Sequence, residues 1–229
     1  MTFYTKKGTI YKMEAVYISE NAYPETIRHI RETGLEPNII KHDPRLGEFT
    51  GDHPDLRLTC VRGSAVFAGE GEYRPDYPGN AAYCAAVFDG YLIHRLDITA
   101  PRILEAAEGL KLINVRQGYA KCSTVIVDGK SLITSDVGIF RAAEETGVLS
   151  ALFVSKGNVL LPGYPEGFIG GASGRVRDEL IFNGSLETHP DGEKIRAFIS
   201  GRGVKIWEAS GLPLRDIGSI IYTNQKGRA

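Results

Sequence analysis

Apolar and polar positions along this chain repeat as a short cassette. Two apolar runs of strand length flank a tight polar turn; a polar residue, an amphipathic helix and a further apolar run follow. The clearest copies span residues 85–109 (AAVFDGYLIHRLDITAPRILEAAEG) and 124–147 (TVIVDGKSLITSDVGIFRAAEETG), with a looser copy over 175–203. Asp89-Gly90 and Asp128-Gly129 separate the paired apolar runs, the dipeptide that most strongly signals a hairpin. Ile103, Leu104 and Ala107 fall on one face of the first helix, and Ile139, Phe140 and Ala143 on one face of the second. Asp97 or Thr99, then Asp136, then Thr188 precede the three helices and are read as their N-caps. A strand is expected after each helix, at 111–115, 149–154 and 204–208.

The rest of the chain fits around these copies. Residues 14–19 alternate like a strand, and a helix over 25–33 follows, with Pro24 tolerated in its first turn and Gly34 as a left-handed stop. Residues 37–42 read as a buried strand and 43–52 as a loop. Residues 56–67 give two strands around Arg62-Gly63, followed by a loop over 69–79 with no helical period. The last strand, 216–223, has no helix after it, and the first dozen residues read as a tail. If the N-terminal helix completes that final unit, the two chain ends share it. The units then number five, starting near His53, Asn80, Gly118 and Gly167 besides the shared one. With 229 residues this gives about 46 per unit, a period typical of propeller-like or solenoid arrays.

Composition narrows the possibilities. A hydrophobic share of 42% and a charged share of 24% describe a chain able to bury a real core. Net charge is −1, which supplies no bulk attraction to nucleic acid or an anionic membrane, and no apolar run is long enough to span a bilayer. The N-terminus lacks an apolar secretory segment. Cys60, Cys84 and Cys122 are odd in number and widely spaced, as free thiols of a reducing compartment would be, so a cytoplasmic protein is expected. No Cys/His spacing fits zinc and no acidic run fits a calcium loop, so neither metal nor cofactor is expected.

The repeat resembles the pentein fold, the five-bladed αβ-propeller of the guanidino-group-modifying superfamily. That superfamily holds arginine and agmatine deiminases, dimethylarginine hydrolases and amidinotransferases, and the fold also serves a non-catalytic ribosome anti-association factor. The stretches NVRQGYAKCS, PEGFIGGASG and PLRDIGSI are similar to those of a bacterial branch without established function that lacks the usual C-terminal catalytic cysteine. The resemblance implies one α/β domain over 1–229, built from imperfect strand-strand-helix-strand repeats, with the two ends sharing a blade. It also implies three elements at the channel. A Glu-Gly-Gly stretch would set a carboxylate on a guanidinium, and Glu166 with Gly170 and Gly171 resembles it loosely. A His-x-Asp pair is matched in spacing by His53-Pro54-Asp55 and by His189-Pro190-Asp191. A Gly-Gly-x-x-Cys stretch would supply the nucleophile, but here Tyr222 follows Gly218-Ser219-Ile220-Ile221 where the thiol should stand.

Residue chemistry gives candidates of its own. Cys122 lies at a strand entrance beside Lys121, whose charge would lower the thiol pKa if the two side chains converged. Adjacent strand residues point to opposite faces, however, and a free cysteine also suits a small buried apolar position. Cys60 and Cys84 read as core. The glycines after Glu166 either line a ligand or permit close strand approach. His189-Pro190-Asp191 reads as a helix start; His53-Pro54-Asp55 precedes a strand and is the better site candidate. Asp216 precedes the last strand and has no helix to cap. The expected site therefore has Cys122 with His53 as its base, and Glu166, Asp55, Asp216, Lys121 and Ser219 binding a small polar, guanidino-type molecule. The alternative is a pentein without catalysis that serves as a binding or assembly module.

Overall fold

Hairpin turns and parallel returns build this molecule. The structure is a computed structural model and describes residues 11–227, so most of the expected tail lies outside the described residues. Strand β1 (Tyr11–Ser19) is followed by helix α1 (Pro24–Glu32) and a parallel return strand β2 (Asn38–Ile40). Gly34 closes α1 at φ 84°, the left-handed stop that the sequence signals. Then come β3 (Leu58–Val61) and β4 (Ser64–Phe67), joined by Arg62 and Gly63 at φ 50° and 82°. Two successive positive φ values match the right-handed strand twist, which makes Gly63 the natural residue here.

The three helical cassettes follow in order: β5 (Ala86–Phe88), β6 (Tyr91–His94), α2 (Pro101–Ala106) and β7 (Lys111–Asn114); β8 (Thr124–Asp128), β9 (Ser131–Thr134), α3 (Val137–Glu144) and β10 (Ser150–Phe153). After a short strand β11 (Val159–Leu160) the third is β12 (Ser173–Val176), β13 (Glu179–Phe182), α4 (Gly192–Ser200) and β14 (Lys205–Glu208). In each cassette the first two strands are antiparallel and the third is parallel to the second. The middle strands β6, β9 and β13 are buried almost throughout, which is why they read as unbroken apolar runs. Strand β15 (Leu214–Arg215) pairs with β11, and β16 (Ile221–Gly227) pairs antiparallel with β1. The chain ends thus share one sheet, β16-β1-β2, with α1 beside it.

The leading strands neighbour one another in turn: β3 lies beside β5, β5 beside β8, β8 beside β12, β12 beside β16, and β16 beside β3. None of the sheets closes on itself among the described residues. Buried apolar side chains collect in separate clusters between sheets. The largest gathers Val125, Ile133, Leu180, Phe182, Ile195 and Ile199, and another gathers Val16, Ile18, Ile30, Ile181 and Ile220. Each such side chain contributes about 1.5–3 kcal/mol by leaving water.

Three local expectations need correction. Helix α2 begins at Ala100 with no side-chain cap and with Pro101 next, because Thr99 is bonded to His94 and Asp97 to Arg95. Thr188 ends a 3-10 turn, Leu186–Thr188, and donates to Ser185 O at 2.8 Å; Asp191 takes the N-cap position of α4. Residues 216–220 are a turn rather than the start of the last strand, since Ser219 at φ 70° and Gly218 at φ 67° cannot join a ladder. Asp136 caps α3 as expected, its carboxylate accepting from Ile139 N at 2.9 Å. Among the described residues no helix is long and apolar enough to cross a membrane.

Candidate functional site

Each leading strand is preceded by a turn, and these turns meet. His53 and Asp55 lie just before β3, Cys84 before β5, Lys121 and Cys122 before β8, Gly170 and Gly171 before β12, and Asp216 with Ser219 before β16. Backbone hydrogen bonds tie the turns together. Lys121 N donates to Cys84 O at 2.9 Å, Gly171 N to Cys122 O at 2.8 Å, Ser219 N to Gly171 O at 2.8 Å, and Asp55 N to Gly218 O at 3.1 Å. Thr59 Oγ1, on β3 itself, donates to Tyr83 O in the turn before β5. Such spacing leaves no room for side chains at the glycines. A Cβ on Gly170 would lie 2.4 Å from Thr124 O, and one on Gly171 would lie 1.9 Å from an Asp216 oxygen. The glycines after Glu166 therefore serve close approach.

Polar side chains fill the space these turns enclose. His53, Asp55, Cys84, Cys122, Asp216 and Ser219 are all buried, and Lys121 is half-buried. The Cys122 thiol donates to Asp55 Oδ2 at 2.8 Å, and the Ser219 hydroxyl reaches the same oxygen at 2.7 Å. Lys121 Nζ donates to Ser219 Oγ at 3.0 Å. Asp55 Oδ1 is buried with no hydrogen-bond partner among the described residues. Asp216 accepts from Phe168 N at 2.8 Å and from Gly218 N at 3.0 Å, and His53 Nδ1 stands 4.0 Å from its Oδ1. A nitrogen of His53, the Cys122 sulfur and a carboxylate oxygen of Asp216 lie within 4.8 Å of one another.

Burial dominates the electrostatics. It pushes the Cys122 thiol well above its usual value, and the neighbouring Cys84 and Asp55 push the same way. It lowers the Lys121 ammonium against the pull of Asp55, and raises the Asp216 carboxyl against the pull of His53. A thiolate at Cys122 is therefore disfavoured in the resting protein, the reverse of an activated nucleophile.

A pocket of about 250 Å³ opens over one side of the cluster. His53 and Asp216 line it, together with His42, Glu48, Asp52 and Arg215. Asn21 Nδ2 donates to Asp52 Oδ2 at 3.0 Å, and Ser19 Oγ donates to the same oxygen. Arg215 is drawn aside by stacking on Tyr23, 4.7 Å from the ring centre. A second pocket, of about 170 Å³, reaches Lys121 among Leu58, Cys60, Val87 and Arg175.

Six of the seven expected site residues thus come together: Cys122, His53, Asp55, Asp216, Lys121 and Ser219. Glu166 does not, lining a separate pocket with His189, Ser135 and Lys156. Lys121 and Cys122 converge on the Ser219–Asp55 pair because they precede β8 in a turn, where strand alternation does not apply. Tyr222 lies apart with its hydroxyl on Glu14, and Ser219 is the side chain near the last strand that reaches Asp55. His189 sits at the start of α4, its Nδ1 accepting from Asp191 N at 3.0 Å, in the helix-start role expected of it.

Cys84 is buried in an apolar cluster, as read, and it also stands beside Asp55 and Cys122, for which the sequence held a signal. Cys84-Ala85-Ala86-Val87-Phe88-Asp89-Gly90 aligns with Cys122-Ser123-Thr124-Val125-Ile126-Val127-Asp128-Gly129, with one extra residue in the second stretch. The register irregularity between Ile126 and Asp128 absorbs that residue, so both cysteines occupy the same place in their units.

No curated protein matches the chain. The crystal structure of a dimethylarginine dimethylaminohydrolase, as an adduct with 4-chloro-2-hydroxymethylpyridine, matches it with a TM-score of 0.51. The match covers 86% of this chain and 92% of that one at 11% identity, so the likeness is one of fold, the pentein fold. A family model matches residues 60–221, and the chain belongs to that family, described as a family of unknown function (DUF6873).

Proposed function

We propose that this chain is a single-domain, five-bladed pentein propeller that binds a small cation of the guanidino type in the pocket over His53 and Asp216. The cyclic adjacency of β3, β5, β8, β12 and β16, each leading its own sheet, supports the propeller reading, with the chain ends sharing the β16-β1-β2 blade. One observation carries the ligand reading: the acidic residues Glu48, Asp52 and Asp216 outnumber the one arginine, Arg215, on the lining of a single pocket of about 250 Å³. A planar guanidinium presents five donors, and paired carboxylates are its best acceptors. The three free cysteines accord with a reducing compartment and a cytoplasmic protein.

Calorimetric titration with guanidinium, arginine and agmatine, and with lysine and putrescine as ammonium controls, tests this reading. Guanidino compounds should bind, and Glu48→Gln, a change on the exposed pocket wall, should weaken them roughly tenfold by removing one charge-assisted bond. If no guanidino compound gives heat at millimolar concentration while the protein remains folded, the reading fails.

A second reading, hydrolysis, draws on the grouping of His53, Cys122 and Asp216 within 4.8 Å. Cys122 would attack the guanidino carbon with His53 taking the thiol proton, an amine would leave, and water would then release the product from the amidino-thioester. Turnover that is lost in Cys122→Ser is required by this reading; unchanged turnover removes it. The high thiol pKa favours binding without chemistry.

A further inference from the structure

One group in the cluster is used by neither reading. Asp55 Oδ1 is buried without a partner among the described residues, while Oδ2 of the same carboxylate accepts from Ser219 and Cys122. A buried carboxylate oxygen left unpaired is costly, and native structures rarely keep one without a reason. Cys84 and Cys122 stand beside this carboxylate. Their sulfurs and a carboxylate oxygen of Asp55 all lie within 4.8 Å of one another.

We infer that Asp55, Cys84 and Cys122 form a binding site for a thiolate-preferring divalent metal ion, Zn²⁺ first among them. Ligand atoms around one zinc ion, at bonds of about 2.0–2.3 Å, stand roughly 3–4.5 Å apart, so one ion can bridge all three after small side-chain rotations. Two sulfurs exclude magnesium and calcium, which take oxygen ligands. Asp55 Oδ1 becomes the oxygen ligand, and Oδ2 keeps the Ser219 hydroxyl, the kind of outer hydrogen bond that fixes a ligating carboxylate. Binding is a simple exchange: both thiol protons leave to solvent, two metal–sulfur bonds form, and nothing is oxidised or reduced.

The surroundings suit such a site. The three ligands come from three turns held by backbone bonds, Lys121 N to Cys84 O and Asp55 N to Gly218 O among them, so they are positioned before an ion arrives. Leu46, Leu56, Tyr119 and Phe168 pack around the two cysteines and keep bulk water out. Lys121, one serine away, is the cationic side chain nearest the carboxylate. Three protein ligands leave a fourth position on the ion, as in catalytic rather than closed structural sites. The proposal is independent of the guanidino pocket and claims the same sulfur as the hydrolytic reading.

The test uses the full-length protein, freed of metal with chelator under reducing conditions and titrated with Co²⁺ and with Zn²⁺. One equivalent of Co²⁺ should bring up a thiolate-to-cobalt charge-transfer band, and Zn²⁺ should displace it. Cys84→Ser and Cys122→Ser should each weaken Zn²⁺ at least roughly tenfold, as loss of a ligand must exceed the loss of an outer-shell partner. Cys60→Ser, on β3, should bind as the parent does. Absence of the charge-transfer band in the folded parent protein overturns the proposal, whether or not the variants fold. So does a band of parent intensity and parent affinity in Cys84→Ser, or one that disappears in Cys60→Ser.

Discussion

His94 should make this protein lose stability as pH falls from neutrality towards 4. It ends β6 fully buried, with Nε2 2.7 Å from Gly118 O and Nδ1 2.7 Å from Thr99 Oγ1. A carbonyl can only accept, so Nε2 carries the proton and Nδ1 of the neutral ring accepts from the Thr99 hydroxyl. Burial holds the imidazole near pH 4, from a usual 6.5, against the opposing pull of the Gly118 and Ala81 carbonyls and of Asp97. The folded state thus takes up the proton less readily than the unfolded chain. Above pH 6.5 neither state is protonated and there is no penalty; between 6.5 and about 4 the unfolded state is favoured progressively; below about 4 the loss is complete. Two and a half pH units at 1.36 kcal/mol each give roughly 3 kcal/mol.

Urea denaturation at half-unit intervals from pH 7 to 4.5 measures this directly. His94→Gln keeps an amide donor for Gly118 O and removes the titrating ring, so it should cost about 1–3 kcal/mol at pH 7. Its stability should then fall less steeply than that of the parent. Carboxylates such as Glu208, which is held low by Arg196 despite its burial, weaken both proteins alike on acidification and cancel in the difference. Parent and variant curves that stay parallel down to pH 4.5 would refute the reasoning.

Other consequences follow from single positions. Gly218→Ala should cost roughly 2–5 kcal/mol, because φ is 67° and a Cβ would lie 2.2 Å from that of His53. Gly211→Ala, at φ 77° but with nothing within 4 Å, should cost only about 1–2 kcal/mol, and equal losses of melting temperature would contradict the contrast. Asp136→Ala removes the α3 cap bond to Ile139 N and should cost about 1 kcal/mol, read by denaturant midpoint. Phe182→Ala opens a void in the largest apolar cluster and should cost about 3–5 kcal/mol; a smaller change would mean that the cluster collapses around it.

Local order was legible along the chain because it depends on near neighbours. The Asp-Gly turns, the Asp136 cap, the Gly34 stop and the unbroken apolar runs of β6, β9 and β13 each express a short-range preference or a plain hydrophobic pattern. Four helix-bearing segments followed from that pattern and its period, and the end strands pair in one sheet. Where a local preference met a stronger distant partner, the sequence reading failed. Thr99 resembles a cap but bonds to His94, and Ala100 begins the helix instead.

The candidate site lies almost wholly in the second category. Asp55, Cys84, Cys122 and Ser219 are far apart in sequence and meet only because backbone bonds tie the turns before β3, β5, β8, β12 and β16 to one another. Glu166 has a suitable chemistry and a suggestive context, yet the chain carries it to another pocket. Lys121 and Cys122 reach the two members of the bonded Ser219–Asp55 pair because a turn, not a strand, precedes β8. Residue types alone determined which groups were available for chemistry here. Which of them share one buried volume, and which carboxylate oxygen is left without a partner, only the tertiary packing decided, since proximity across the chain is fixed by the assembly of the sheets and by no local rule.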